Sequence, residues 1–212
     1  MKTFERCSKL QIINISADGN WSCFNTGLMT INGQDIIGLF TKNSKPNQQE
    51  WYFKGFKTAS DRDFLNNFTE VPDIASYTDN PNDYYFDTNQ EITLSIDHIL
   101  DDNFERYPEE IKKLGKEILK SLLSSAFEAT KKKIKRNNRL VIPQFYNEKF
   151  SYLMPIKIPV SDNKYVTMAL AVEKMALGNY RANTIFTTEM AYSKARLVMK
   201  PESNWLMENE KE

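Results

Sequence analysis

Apolar residues dominate 10–15 and again 21–25, with the polar run Asp18-Gly19-Asn20 between them. Apolar runs broken by turn residues predict a strand, a tight turn and a second strand. Residues 26–31 and 35–41 repeat the pattern about Asn32-Gly33, a pair suited to the positive φ angles of a type I′ turn. After a polar loop over 42–49, Trp51, Phe53 and Phe56 set against Tyr52 and Lys54 predict a further strand over 50–56. The first third of the chain reads as a β-meander.

The pattern then weakens. Residues 61–68 fit a short helix, and 71–90 are rich in Asp, Asn, Pro and Tyr without a period, which reads as a long surface loop. Over 108–136 the period becomes that of a helix. Pro108 suits the first helical position, Glu109 and Glu110 favour the positive end of the helix dipole, and the lysines and arginine of 131–136 favour the negative end. Ile111, Leu114, Ile118, Leu122, Ala126 and Ala129 recur at spacings of three and four, widened by Leu119, Leu123 and Phe127, so this stripe is expected to pack on a sheet. Gly115 interrupts it at about 1 kcal/mol relative to Ala, a position suited to close approach of another backbone. β-Branched and aromatic residues return over 139–146, 150–158 and 165–172, with Pro143, Pro155 and Pro159 at edges or bends. Residues 183–187 read as a strand feeding a helix over 188–199, with Thr187 as its N-cap and Pro201 as its stop. The predicted fold is α+β, antiparallel sheets packed around one long central helix with a shorter C-terminal helix. A single domain is expected over residues 1–206, followed by a short acidic tail, 207–212.

Composition adds limits. With 41% hydrophobic and 12% aromatic residues, the chain can fill a core and is not of disordered type. Cys7 and Cys23 are too few for a disulfide framework or a structural zinc site, which points to a cytoplasmic setting. No apolar window reaches the roughly 18–20 residues of a membrane span, so no membrane association is expected. Net charge is zero but unevenly distributed: 9 basic and 16 acidic residues up to Tyr107, 19 and 12 after it. Either the halves attract each other or the basic half offers a face to a phosphate-bearing ligand. No Lys or Arg lies between Asp63 and Glu105, so residues 71–105 would not grip phosphate but could form a protein contact.

Five stretches occur in a characteristic order. They are Phe24-Asn25-Thr26-Gly27-Leu28, Trp51-Tyr52-Phe53-Lys54-Gly55-Phe56, Asp97-His98-Ile99-Leu100 with Asn103 and Arg106-Tyr107-Pro108, Pro143-Gln144-Phe145-Tyr146, and Thr184-Ile185-Phe186-Thr187 with Glu189-Met190-Ala191-Tyr192 and Ala195-Arg196-Leu197. Together they resemble the signatures of the DUF3825 family, a domain of unknown function. The resemblance covers most of the chain and departs at Thr188, where the family tends to an apolar residue. It implies no established activity. Family members look like companions of RNA-related modules such as cold-shock or LOTUS-type domains, which implies RNA or nucleotides by association.

Candidate chemistry is sparse. His98, the sole histidine, follows Asp97 and suits acid/base work near neutral pH, or equally a structural hydrogen bond beneath the long helix. A solitary histidine lacks metal-ligand spacing, and no Walker loop, nucleophile elbow, CxxC or HExxH is present, although Asp97, Asp101 and Asp102 leave carboxylate–metal chemistry open. No metal or cofactor is assigned. At the 187/188 junction a helix N-terminus with Thr187 and Thr188 suits an anion, and Glu189, Tyr192 and Arg196 share one helix face. Asn25 and Thr26 beside Gly27 offer amide and hydroxyl contacts, or simply a turn. Trp51, Tyr52, Phe53 and Phe56 would stack bases if exposed and form core if not. Lys131, Lys132, Lys133, Lys135, Arg136 and Arg139 concentrate positive charge at the end of the long helix, with Lys132 and Lys135 the expected phosphate contacts. The leading expectation is a domain binding RNA or a phosphorylated nucleotide, with Arg196, Thr187 and the basic helix end for phosphate and Asn25 or Tyr192 for base or sugar. The alternatives are a nucleotide- or RNA-processing enzyme using His98 as acid/base with Glu189 and Arg196 stabilising charge, and a protein-interaction module built on 71–105.

Overall fold

The expected meander forms, but with fewer and longer strands than the turn residues suggested. A computed structural model describes residues 2–45, 48–146, 149–161, 164–199 and 204–207. The chain divides into two compact units, Met1–Ser76 and Tyr77–Glu212.

The first unit runs α1 (Lys2–Lys9), β1 (Asn14–Ile15), β2 (Trp21–Met29), β3 (Asp35–Lys42), β4 (Trp51–Thr58) and α2 (Arg62–Leu65), and its antiparallel sheet has the order β1-β2-β3-β4. The stretch 10–15 contributes only two strand residues, because the turn that follows α1, with Gln11 at φ 57 and the Ile12 amide donating to the Cys7 carbonyl, takes up its start. Residues 21–25 and 26–31 do not form separate strands. β2 is continuous through an irregularity between Asn25 and Leu28, where Gly27 takes φ 73. At Asn32-Gly33 only the glycine has positive φ, so the turn is not type I′; Gly33 N–H closes it on the Thr30 carbonyl at 3.0 Å. One sheet face buries Cys23, Ile37 and Leu39 beneath Phe64 of α2 and Phe68, and Asp61 caps α2 by accepting from the Asp63 amide at 2.9 Å.

The second unit runs β5 (Ile92–Leu94), α3 (Ile96–Asn103), α4 (Glu109–Lys112), α5 (Lys116–Arg136), β6 (Ile142–Tyr146), β7 (Lys149–Ser161), β8 (Lys164–Lys174), β9 (Tyr180–Phe186), α6 (Thr188–Val198) and α7 (Asn204–Met207). Its sheet has the order β5-β9-β8-β7-β6, with β5 parallel to β9 and the other pairs antiparallel. Strand alternation sends Tyr152, Met154, Ile156, Met168, Leu170 and Val172 to one face against α5, and Leu153, Ala169, Ala171 and Phe186 to the other against Ala191 and Ala195 of α6 and Trp205 of α7. The α+β class and the two principal helices follow the sequence reading.

The predicted helix over 108–136 is two helices. Gly115 sits between α4 and α5 at φ 78, a conformation that L side chains avoid, and a Cβ built there would meet nothing within 4 Å. Backbone conformation, not close approach, is why this position suits glycine. The break also resets the helical phase. Leu119, Leu123, Phe127, Thr130 and Ile134 are buried, whereas Ile118 is 55% exposed and Ala129 exposed, so the expected stripe from Ile111 through Ile118 to Ala129 is not the core face. Thr130 adds a polar anchor, its hydroxyl donating to the Pro155 carbonyl at 3.0 Å.

Part of the predicted surface loop is tied down. Phe86 is buried, stacked on Tyr180 at 4.3 Å, while Tyr152 Oη donates to the Asp83 carbonyl and the Asp87 amide donates to Tyr180 Oη. The charge asymmetry is internal to the second unit: Asp97 pairs with Lys120, Asp101 with Lys116, Glu105 with Lys112 and Glu110 with Lys164. Pro201 and the tail beyond Met207 lie outside the described residues. Among the described residues no helix is long and apolar enough to cross a membrane.

Candidate functional site

The strongest constellation lies where β8 and β9 part. β9 is held to its end by a polar node: Asn103 Oδ1 accepts from the Ile185 amide at 2.9 Å and from Arg106 Nη1 at 2.8 Å, and Arg106 also donates to the Ile185 carbonyl at 2.7 Å. The guanidinium lies 5.2 Å from the centre of the Phe186 ring, which also lies beneath Lys194, whose Nζ sits 3.8 Å from the Tyr146 ring centre. Fixed in this way, the chain leaves the sheet at Thr187, which is extended (φ −64, ψ 160) and caps α6 by accepting from the Met190 amide at 3.3 Å.

β8 does not stop where β9 leaves. Its last partner on that side is Phe186, opposite Ala169, so residues 164–168 run on along an open edge. The angle between that edge and the start of α6 encloses a cavity of about 380 Å³ lined by Pro108, Tyr165, Thr167, Thr187, Thr188 and Trp205. Thr188 is buried, Tyr165 is 57% exposed, and Trp205 is fixed from behind by its Nε1 donating to the Leu140 carbonyl at 3.0 Å. Lys157 stands directly opposite Thr167 in the β7–β8 register, exposed and on the same face. The Glu189 amide has no acceptor among the described residues, as the first turn of a helix requires of any amide that its cap does not reach. Three threonines, a positive helix end and two aromatic residues therefore line one space, in the volume range of small-ligand sites.

The family model described as Domain of unknown function (DUF3825) matches residues 1–205. The chain belongs to the DUF3825 family. No curated protein and no solved structure matches it. Of the stretches that carried the DUF3825 resemblance, Asn103, Arg106, Ile185 and Phe186 make the node that aims α6, and Pro108, Thr187 and Thr188 meet at the cavity.

The remaining predicted residues lie elsewhere. Tyr192 is half-buried in the layer beneath α6, Arg196 and Glu189 are exposed, and none of the three lines the cavity; Arg196 forms no ion pair among the described residues. His98 is exposed on α3 with Nδ1 3.1 Å from Asp102 Oδ2, away from the cavity lining. Its neighbours Asp97 and Asp101 serve α5: the Lys116 hydrogen bond lowers the Asp101 carboxyl, and the Asp97 bond raises Lys120. Asn25 and Thr26 belong to the first unit, where they build the β2 irregularity. Asn25 Nδ2 donates to the Pro72 carbonyl and its Oδ1 accepts from Gly27, while Thr26 Oγ1 donates to the Ile36 carbonyl at 2.6 Å. Lys132 and Lys135 are exposed at the end of α5 and make no ion pair among the described residues, whereas Lys131 is engaged by Glu128 and Arg136 by the Lys132 carbonyl. Among the described residues no three His, Cys, Asp or Glu side chains are grouped to hold a metal. Sequence reasoning missed Tyr165, Thr167, Lys157 and Trp205. Tyr165 and Thr167 come to line one cavity with Thr187, and Lys157 comes opposite Thr167, only through strand register, which leaves no local signal.

Proposed function

We propose that the chain binds a phosphorylated nucleotide in the cavity at the start of α6. The observation that carries this reading is the convergence of Thr167, Thr187, Thr188 and the α6 N-terminus on a space also lined by the exposed Tyr165 and by Trp205. A helix N-terminus with hydroxyl donors takes a phosphate, and a ring beside it takes a base. Lys157 adds positive charge from the facing strand. Glu189, in the first turn, opposes an anion, so neutralising it should strengthen binding. The reading is of binding and not of turnover, because His98 and Glu189, the acid/base and charge-stabilising candidates, do not share the cavity lining.

Isothermal titration of the full chain with nucleoside 5′-monophosphates tests it, supported by mass spectrometry of small molecules carried through purification. Thr188→Val and Tyr165→Ala should each weaken binding about fivefold or more, the loss of one hydrogen bond or one stacking partner. Glu189→Gln should tighten it modestly. If no monophosphate binds, or if the parent nucleosides bind as well as the monophosphates, the reading falls.

A further inference from the structure

The second sheet face of the first unit carries a row of rings that the nucleotide cavity does not use. Opposed residues in an antiparallel pair share a face, and the β3–β4 register sets Lys42 against Trp51, Phe40 against Phe53 and Gly38 against Phe56. Lys42, Phe40 and Gly38 alternate along β3, so Trp51, Phe53 and Phe56 all project to one side of β4. A regular strand would not do this, because 53 and 56 differ by an odd number. The register shift at Leu39/Phe40 supplies the missing residue, and Gly55 beside it takes φ 141, closed to ordinary side chains. The Phe53 and Phe56 rings consequently lie 5.0 Å apart, and Phe53 lies 5.2 Å from Phe40. α1 meets this row from the β2–β3 side: Phe4 meets Phe24 and Phe40 at 5.7 and 4.3 Å. Phe56 remains 58% exposed.

Charge selects the occupant. Residues 42–57 contain four lysines and one acidic residue. Lys57 is bound to Asp61 at 3.0 Å, but Lys42, Lys45 and Lys54 are exposed and form no ion pair among the described residues. An open ring at Phe56 and a half-buried one at Trp51, interleaved with ammonium groups that form no ion pair among the described residues, match bases and phosphates, whereas an apolar protein partner would leave those ammonium groups buried and unpaired. We infer that this face docks single-stranded nucleic acid, with bases stacking on Phe56 and Trp51 and phosphates meeting Lys42 and Lys54. The inference goes beyond nucleotide binding at α6 and uses none of its residues.

Fluorescence anisotropy of the full chain with labelled oligouridylate and oligothymidylate of about ten nucleotides, within the span such surfaces cover, tests it. Both should bind, with affinity falling as salt rises. Phe56→Ala should weaken binding at least about fivefold, and Phe56→Leu, which keeps apolar volume but removes the π face, should do the same if the alanine variant proves unstable. Lys42→Glu should weaken binding and flatten the salt dependence. Tyr52→Ala is the internal control: that ring is 60% exposed but stands opposite Thr41, on the other face, so its loss should leave affinity unchanged. Absence of binding to both oligonucleotides would overturn the inference. So would wild-type affinity in Phe56→Leu, or a loss confined to Tyr165→Ala or to Lys132→Glu with Lys135→Glu, which would move the nucleic acid to the second unit.

Discussion

Asp18 shows how much one side chain can settle locally. Its carboxylate accepts from Ser16 Oγ at 2.5 Å, from the Asn20 amide at 3.0 Å and from Asn20 Nδ2 at 2.8 Å, closing the turn between β1 and β2. The Ser16 hydroxyl contributes most, and together these donors hold the carboxyl at about 2, against 3.8 ordinarily. Folding therefore favours the ionised form. The turn's contribution is complete above about pH 4 and is lost as pH falls through about 2. A carboxyl-carbon NMR titration should place the Asp18 midpoint near 2, and Asp18→Asn should remove that part of the acid sensitivity; a midpoint near 4 would contradict the hydrogen-bond account. At this scale the sequence was informative wherever function and partner are neighbours in the chain. Asp18-Gly19-Asn20 was readable as a turn and Thr187 as a cap. Asn103 was not readable as the partner of Ile185, because only the folded topology brings residues 82 positions apart into contact.

Between residue and molecule lies the phase of α5. The buried stripe Leu119–Leu123–Phe127–Thr130–Ile134 and the exposed Ile118 make opposite predictions for substitutions only five residues apart. Leu123→Ala should cost about 2–5 kcal/mol in urea unfolding, as a cavity in a packed layer does, while Ile118→Ala should cost under about 1 kcal/mol. Gly115→Ala should destabilise by about 1 kcal/mol or more, the reverse of its effect inside a helix, because φ 78 opposes any Cβ. Equal losses at Leu123 and Ile118 would restore the uninterrupted helix. Periodicity located most strands and both principal helices, since each buries one face over several turns or pleats. It gave no sign of β5 and α3. β5 is three residues long, its parallel partner β9 lies far along the chain, and α3 is eight residues with no side-chain cap bond at Ser95.

Taken whole, the chain has a charge balance that follows its units and not its halves. Met1–Ser76 holds eight basic and eight acidic residues, so the acidic stretch before Tyr107 and the basic stretch after it compensate largely within Tyr77–Glu212. Each unit also closes its own sheet over its own buried cluster, and the boundary falls inside the stretch that lacked a period. A fragment comprising residues 77–212 should accordingly unfold cooperatively on its own and keep the nucleotide affinity of the full chain, as circular dichroism and titration would report. A fragment lacking a cooperative transition would show that the second unit depends on the first. The cavity at α6 was half legible: Thr187 and Thr188 announced themselves, while Tyr165 and Lys157 required the register of a hairpin whose strands pair differently on their two sides.

The one-residue irregularity in β4 has a bearing on how this hairpin tolerates variation in length. Point substitutions along the strand leave each ring on its own side, but loss or gain of a single residue between Phe53 and Phe56 exchanges the sides for everything beyond, much as a frameshift exchanges codons. The hairpin should thus accept many spellings in a fixed frame, and a deletion there should be tolerated only when an insertion nearby restores the count.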